Sequence, residues 1–482
     1  MRYLMATLGN LGDAGFFGVL ADALVQRGHE VIVYASPALS RLLADSMARI
    51  VTIEADEGLG VGDGLIRADD DNHQGLDALM KDVARLAPAY VAAMQHDIVL
   101  PRTVVVGTGL GLAHRLLAEL HGVPVATLHQ TPVSLPSLIQ PARLARGRGL
   151  PGARSGSGGT PPAVPAARAP GWLDGLRGWW AERSVYRPRV GVALEQARLV
   201  LGLRPLTQPV SRWLKEGDVQ LALFARDFAL PPADWPAGLQ LVGFGVSGLP
   251  PPRSLPQPPG GSGAGPAPGP AGVDGPDSPG AAAGEDESPA QQAGRWRRAA
   301  LARLPDELRA FLADDLGVAP VVFAGGPADA GRMDFFVQSV LAVSRIGVRG
   351  ILLCPQPRAL PRHLPDNILA VGSADLAALL SLSGLLVHQG SVALAAQALM
   401  AGVPQLCCPL LFEQFDTSAR CAALGVAAEI RSGDYRAQAV AVQVHALLYD
   451  KALQVRCRQL ADRLDTSQVL AACCTQLEQA GS

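Results

Sequence analysis

Strand, turn and helix follow one another without slack between Leu385 and Pro404, and this stretch confines the chain to a narrow set of folds. Leu385, Leu386 and Val387 are continuous apolar residues, the pattern of a parallel strand covered on both faces. His388-Gln389-Gly390-Ser391 then reads as a tight turn. Gly390 lets the backbone come close to a ligand, and Ser391 suits a helix N-cap. Val392, Ala395, Ala396 and Leu399 recur at i, i+3, i+4 and i+7, one apolar helix face. Gly402 ends that helix and Pro404 keeps it from continuing. A helix therefore starts at the carboxyl end of a buried parallel strand, where free N–H groups and the helix dipole favour an anion. An imidazole, His388, stands at its mouth, and the polar pair Glu413-Gln414 follows one strand later.

The same alternation runs through most of the chain. Arg2 to Thr7 reads as a strand, Phe16 to Arg27 as a helix stopped by Gly28, and Val31 to Tyr34 as the next strand, a βαβ opening. A second unit spans Thr103 to Val106, Leu110 to Leu120 and Val123 to Leu128. Gly107, Gly109 and Gly111 fall short of the dinucleotide fingerprint and are expected to serve close packing. Further on, Arg303 to Leu312 reads as a helix, Val321 to Ala324 as a strand, Asp334 to Arg345 as a helix, and Gly350 to Cys354 and Ile368 to Val371 as strands. A terminal helical region starts near Ala437. Residues 145–170 and 249–292, dense in Gly, Pro, Ser and Ala, lack the large apolar side chains needed to offset their ordering entropy. The expected organisation is an α/β chain of two Rossmann-like domains with parallel sheets facing across a cleft: 1–248 with an insert at 145–170, a disordered linker at 249–294, and 295–482.

Composition excludes several classes. With 482 residues and 49% hydrophobic content the chain can bury two cores. A formal net charge of −2 without a long basic run leaves no electrostatic footprint for a nucleic-acid partner. Seven cysteines, an odd number with no Cys-x-x-Cys pair, predict reduced thiols, as in a cytoplasm, rather than disulfides or zinc. The first residues do not read as a signal peptide, and no run of about 18 apolar residues predicts a membrane span.

Taken together, His388-Gln389-Gly390-Ser391 with Glu413-Gln414 resembles the donor-binding segment of nucleotide-sugar glycosyltransferases of the GT-B fold. The likeness is greatest to bacterial rhamnosyltransferases that glycosylate lipids, and looser to glycopeptide and sterol glycosyltransferases. Leu8-Gly9-Asn10-Leu11-Gly12-Asp13, Arg27-Gly28-His29-Glu30-Val31 and the stretch from Leu223 through Trp235 to Phe244 resemble further segments of the same family. The resemblance covers most of the chain outside the two inserts. It implies a GT-B architecture and an inverting, metal-independent transfer of a hexosyl group from a nucleoside-diphosphate sugar to a hydroxyl of a lipid-like or small apolar acceptor. By the same resemblance, Gly326, His388, Gly390 and Ser391 hold the donor diphosphate, Glu413 and Gln414 the sugar hydroxyls, and Asp13, beside Gly12 on the acceptor-side loop, takes the acceptor proton. No metal and no cofactor beyond the donor are implied. Cytoplasmic residence is expected, with peripheral contact at the inner face of a membrane left open.

Each residue also has a plainer reading. His388 would otherwise cap a strand end, Glu413 favour a helix start, and Asp13 serve as an N-cap. His29 reads as packing, Asp69-Asp70-Asp71 as a solvated loop, and Trp172, Trp179 and Trp180 as a packed helix or an interfacial one. The chain departs from the family at Gly326-Pro327, Ser373, Phe16 and Val392-Ala393-Leu394. Two alternatives therefore stand beside transfer: a degenerate relative that binds a ligand or partner without turnover, and, more remotely, a sugar-nucleotide epimerase.

Overall fold

The computed structural model of the chain describes residues 1–7, 11–55, 74–137, 140, 142–143, 191–206, 212–245, 289–313, 317–325, 333–355, 360–464 and 467–481. Among them, seven strands form a parallel sheet in the order β3-β2-β1-β4-β5-β6-β7. These are β1 (Arg2–Ala6), β2 (Glu30–Ala35), β3 (Arg49–Thr52), β4 (Thr103–Thr108), β5 (Val125–His129), β6 (Val219–Ala222) and β7 (Gln240–Leu241). A second parallel sheet has the order β10-β9-β8-β11-β12-β13. Its strands are β8 (Val321–Ala324), β9 (Gly350–Leu353), β10 (Ile368–Val371), β11 (Leu385–His388), β12 (Gln405–Cys407) and β13 (Ala427–Glu429).

Both sheets are buried on both faces, which is why their strands lack polar alternation. In the first, Tyr3, Met5, Val104 and Val106 enter one apolar cluster while Leu4, Ala6 and Val105 enter the other. In the second, Val321, Phe323, Leu385 and Val387 oppose Val322, Ala324 and Leu386 in the same manner. The expected strands agree with these to within two residues at each end.

Helices α1 (Leu11–Gln26), α2 (Pro37–Leu42), α3 (Gln74–Met94), α4 (Ala113–His121) and α5 (Val192–Val200) belong to the first domain. Then come α6 (Pro289–Ala302), α7 (Asp306–Ala313), α8 (Met333–Ile346), α9 (Leu376–Ser381), α10 (Val392–Ala401), α11 (Glu413–Ala423), α12 (Ala437–Tyr449), α13 (Lys451–Arg463) and α14 (Val469–Ala480). Three expectations change. Helix α1 begins at Leu11, ahead of Phe16, so Asp13 lies in its first turn instead of capping it. The helix expected over Arg303 to Leu312 begins only at Asp306, just after Pro305, and a separate helix ending at Ala302 precedes it. Helix α6 opens at Pro289, inside the stretch assigned to the linker.

The last helix also crosses the expected boundary. Val469, Cys473, Cys474 and Leu477 of α14 join the core of the first domain, and Glu478 accepts from Arg27 (2.8 Å) and pairs with His29 (2.9 Å). His29 is thus a packing residue, as expected. The three glycines at 107, 109 and 111 are packing positions too. A Cβ on them would lie 2.2 Å from the His114 ring, 2.5 Å from the His129 ring and 2.8 Å from the Thr108 hydroxyl. All seven cysteines are buried and none forms a disulfide. Among the described residues no helix is long and apolar enough to cross a membrane, and no group of three or more His, Cys, Asp or Glu is placed to hold a metal ion.

Candidate functional site

The carboxyl end of β11 meets the start of α11, and this brings His388, Gly390, Ser391, Glu413 and Gln414 together. Gly390 has φ 90°, a conformation costly for other residues, and an added Cβ would lie 2.9 Å from the Gln414 carbonyl oxygen. Ser391 caps α10, its Oγ accepting from the Leu394 N–H at 3.4 Å. The N–H groups of Val392 and Ala393 in the first turn have no intrahelical acceptor, and the positive end of the helix dipole lies with them.

His388 is placed differently from expectation. The ring is fully buried. Its Nδ1 accepts from the Gly390 N–H at 3.1 Å, which puts the ring proton on Nε2, where it donates to Gln405 Oε1 at 3.0 Å. Cys407 Sγ lies 3.5 Å from the same nitrogen. Burial pushes the imidazole down to about 4, against a smaller upward pull from Gln405, so it is neutral at physiological pH. Both nitrogens of this ring are thus engaged within the fold. The ring holds the Gly390 turn, and the turn presents the N–H groups.

Glu413 and Gln414 open α11. Glu413 is half-buried. Desolvation raises it to about 7, outweighing its own backbone hydrogen bond. Gln414 uses its side-chain carbonyl to accept from the N–H groups of Leu410 (2.9 Å) and Leu411 (3.0 Å). Its amide nitrogen remains available as a donor, while the acceptor expected to meet a sugar is committed to the loop. Gln389, in the same turn, is buried with an unpartnered Oε1.

The first domain packs against the second beside this site. Asp416 accepts from the Arg143 backbone N–H (2.9 Å) and from Arg420 Nε (2.5 Å). The Arg143 guanidinium forms a fork with both Glu429 oxygens at 3.0 and 3.1 Å, and Ser418 donates to Glu429 at 2.7 Å. Leu135, Phe224, Phe228, Trp235 and Phe244 share one apolar cluster with Ala395, Leu399, Cys421 and Leu453 of the second domain. Phe412, just before α11, shares a second cluster with Leu112 and Val133, which follow β4 and β5, so the carboxyl ends of those strands face the start of α11.

Asp13 and Gly12 lie in the first turn of α1, at the carboxyl end of β1, and their side chains are outside the described residues. Gly326, Asp69-Asp70-Asp71, Trp172, Trp179, Trp180 and most of both inserts are outside them as well. Sequence reasoning missed Arg143, Gln405 and Phe412. Gln405 carried a faint signal, a polar residue inside an apolar strand; Arg143 and Phe412 carried none.

Two parallel α/β domains meeting along a cleft, with the last helix returning to the first domain, define the GT-B fold. Solved structures bear this out. The chain is similar to the glycosyltransferase SnogD from Streptomyces nogalater (TM-score 0.60, 17% identity, 100% of both chains covered) and to the spinosyn rhamnosyltransferase SpnG (0.62, 19%, 99% of this chain and 100% of that one). It is similar too to VinC, solved in complex with dTDP (0.58, 18%, 100% and 99%). In sequence, residues 350–476 match the family described as erythromycin biosynthesis protein CIII-like, C-terminal domain. The O-mycaminosyltylonolide 6-deoxyallosyltransferase of Streptomyces fradiae is 30% identical over 175 residues, 36% of this chain and 40% of that protein. The matched part therefore spans well under half of that relative.

Proposed function

We propose that this chain is a metal-independent glycosyltransferase that moves a hexosyl group, with inversion, from a uridine or thymidine diphosphate sugar to a hydroxyl of a lipid-like or small apolar acceptor. The observation that carries the reading is the convergence of the Gly390–Ser391 turn, with its open N–H groups, on Glu413 and Gln414. The diphosphate lies against the N–H groups of Val392 and Ala393, where helix dipole and main-chain donors stabilise charge on the leaving group. Glu413 and the Gln414 amide meet the sugar hydroxyls. Asp13, across the cleft, takes the acceptor proton as the acceptor oxygen attacks the anomeric carbon. The bond from that carbon to the diphosphate oxygen breaks, and the nucleoside diphosphate departs. His388 acts through the turn it holds. The dTDP in VinC and the activities named for the relatives support this donor class.

One observation favours a second reading. The enclosed His388 offers no proton to the leaving group, as expected of a relative that binds the nucleotide without turning it over. Calorimetry with TDP and UDP, followed by assay of nucleotide release with and without a small apolar alcohol, separates the two. Binding with acceptor-dependent release of TDP or UDP establishes transfer; binding without release supports the second reading; absence of binding up to millimolar concentration removes both.

A further inference from the structure

Phe412, immediately before Glu413, has φ 41° and ψ −114°, and it is the one non-glycine residue among those described with positive φ. These angles belong to the second residue of a type II′ turn, a place ordinarily held by glycine. The turn is closed, because the Gln414 N–H donates to the Leu411 carbonyl at 3.0 Å. Gln414 ties the same turn from its side chain, accepting from Leu410 and Leu411. A glycine would make this turn without strain, so the phenyl ring must be retained for what it touches.

The ring is buried, but not in its own domain. Phe412 belongs to the apolar cluster of Leu112, Leu116 and Val133 in the first domain, and Leu411 packs against that cluster beside it. The strained turn thus does two things with one peptide unit. It sends a side chain into the core of the first domain, and it starts α11 at Glu413 and Gln414.

We propose that Phe412 is a positioning residue, a wedge through which the first domain sets the orientation of the Glu413–Gln414 pair and hence the grip on the donor sugar. The proposal rests on the reading that this pair meets the sugar. It implies that loss of the wedge weakens recognition of the hexosyl group while leaving the nucleoside diphosphate, held by the Gly390–Ser391 turn, largely unaffected.

The test compares the full chain with Phe412→Ala, which keeps the strain and removes the wedge, and Phe412→Leu, which keeps most of the wedge. Phe412→Gly, which relieves the strain, serves as a third variant should the alanine form fold poorly. Hydrogen exchange is measured first without ligand. At the amides of Leu410, Leu411 and Gln414, exchange is expected to rise at least tenfold in Phe412→Ala and to stay within threefold in Phe412→Leu. In Phe412→Gly the amides of α4 are expected to lose protection with the wedge. Calorimetry then compares TDP with TDP-glucose and UDP with UDP-glucose. The affinity ratio of sugar nucleotide to nucleotide should fall at least tenfold in Phe412→Ala and recover in Phe412→Leu, with nucleotide affinity itself changed less than threefold. Unchanged exchange in the alanine and glycine variants overturns the wedge, and raised exchange with an unchanged ratio overturns the coupling. If the sugar alters neither wild-type affinity nor that of Glu413→Gln, the donor-pair reading has failed instead, and the exchange arm alone judges the wedge.

Discussion

The carbonyl oxygen of Gln414 occupies the space into which a side chain on Gly390 would project, 2.9 Å from its Cβ position. Two segments separated by a strand and a helix are thereby held backbone against backbone, and the site depends on that approach. Gly390→Ala should destabilise the fold by about 1–3 kcal/mol, from a strained positive φ plus the clash. Nucleotide affinity and sugar discrimination should fall together. Denaturant unfolding followed by calorimetry measures both; loss of one without the other would separate the two segments.

Glu413 should make both stability and donor binding depend on pH near neutrality. Its carboxyl titrates at about 7 in the folded chain, above the ordinary value near 4.5. Between these values the folded state holds more protons, so its stabilising contribution is complete below about 4.5 and is lost as pH rises through 7. Solvent contact moderates the size to about 1–2 kcal/mol. Glu413→Gln should flatten that part of the stability–pH curve and the pH dependence of sugar-nucleotide affinity. An identical curve in the variant would contradict the assignment.

His388 should be neutral throughout. Its ring has been pushed down to about 4, so nitrogen-detected NMR should show the Nε2-protonated neutral ring from pH 5.5 to 8 with no titration between. The stability it contributes is complete above the unfolded value near 6.5 and declines as pH falls toward 4. His388→Phe leaves the Gly390 N–H and Gln405 Oε1 unmet in a buried place, at a cost of about 2–4 kcal/mol in unfolding free energy. A ring midpoint near 6.5 would show that the enclosed geometry is wrong.

Arg143 and Glu429 join the domains across partly exposed ground. A double-mutant cycle of Arg143→Met with Glu429→Gln should give a coupling of about 0.5–1.5 kcal/mol, reduced by salt. Strict additivity would mean the pair does not hold the domains in solution.

Much of this was legible in the sequence because parallel strands buried on both faces read as unbroken apolar runs. Val321–Ala324 and the strand from Leu385 to Val387 could be placed for that reason, and Ser391 and Gly402 marked the ends of α10 by their capping chemistry. The direction of a side chain was not legible. The motif gives His388 its position at the end of β11, but Gln405, seventeen residues on, decides that the ring turns inward. Phe412 was beyond reach for a different reason. Nothing local forecasts positive φ at a phenylalanine, since only the cluster it enters in the other domain sustains it. The packing of α14 against the first domain was hidden in the same way, as a long-range contact without local pattern.

The central claim is that the turn at Gly390–Ser391 and the start of α10 hold a nucleoside diphosphate. Calorimetry of the full chain with TDP, repeated on Gly390→Ala, tests it most directly. Micromolar binding, weakened at least tenfold by the substitution while the variant remains folded, is the predicted result. Binding that survives the substitution unchanged, or no heat up to millimolar TDP and UDP, would contradict it.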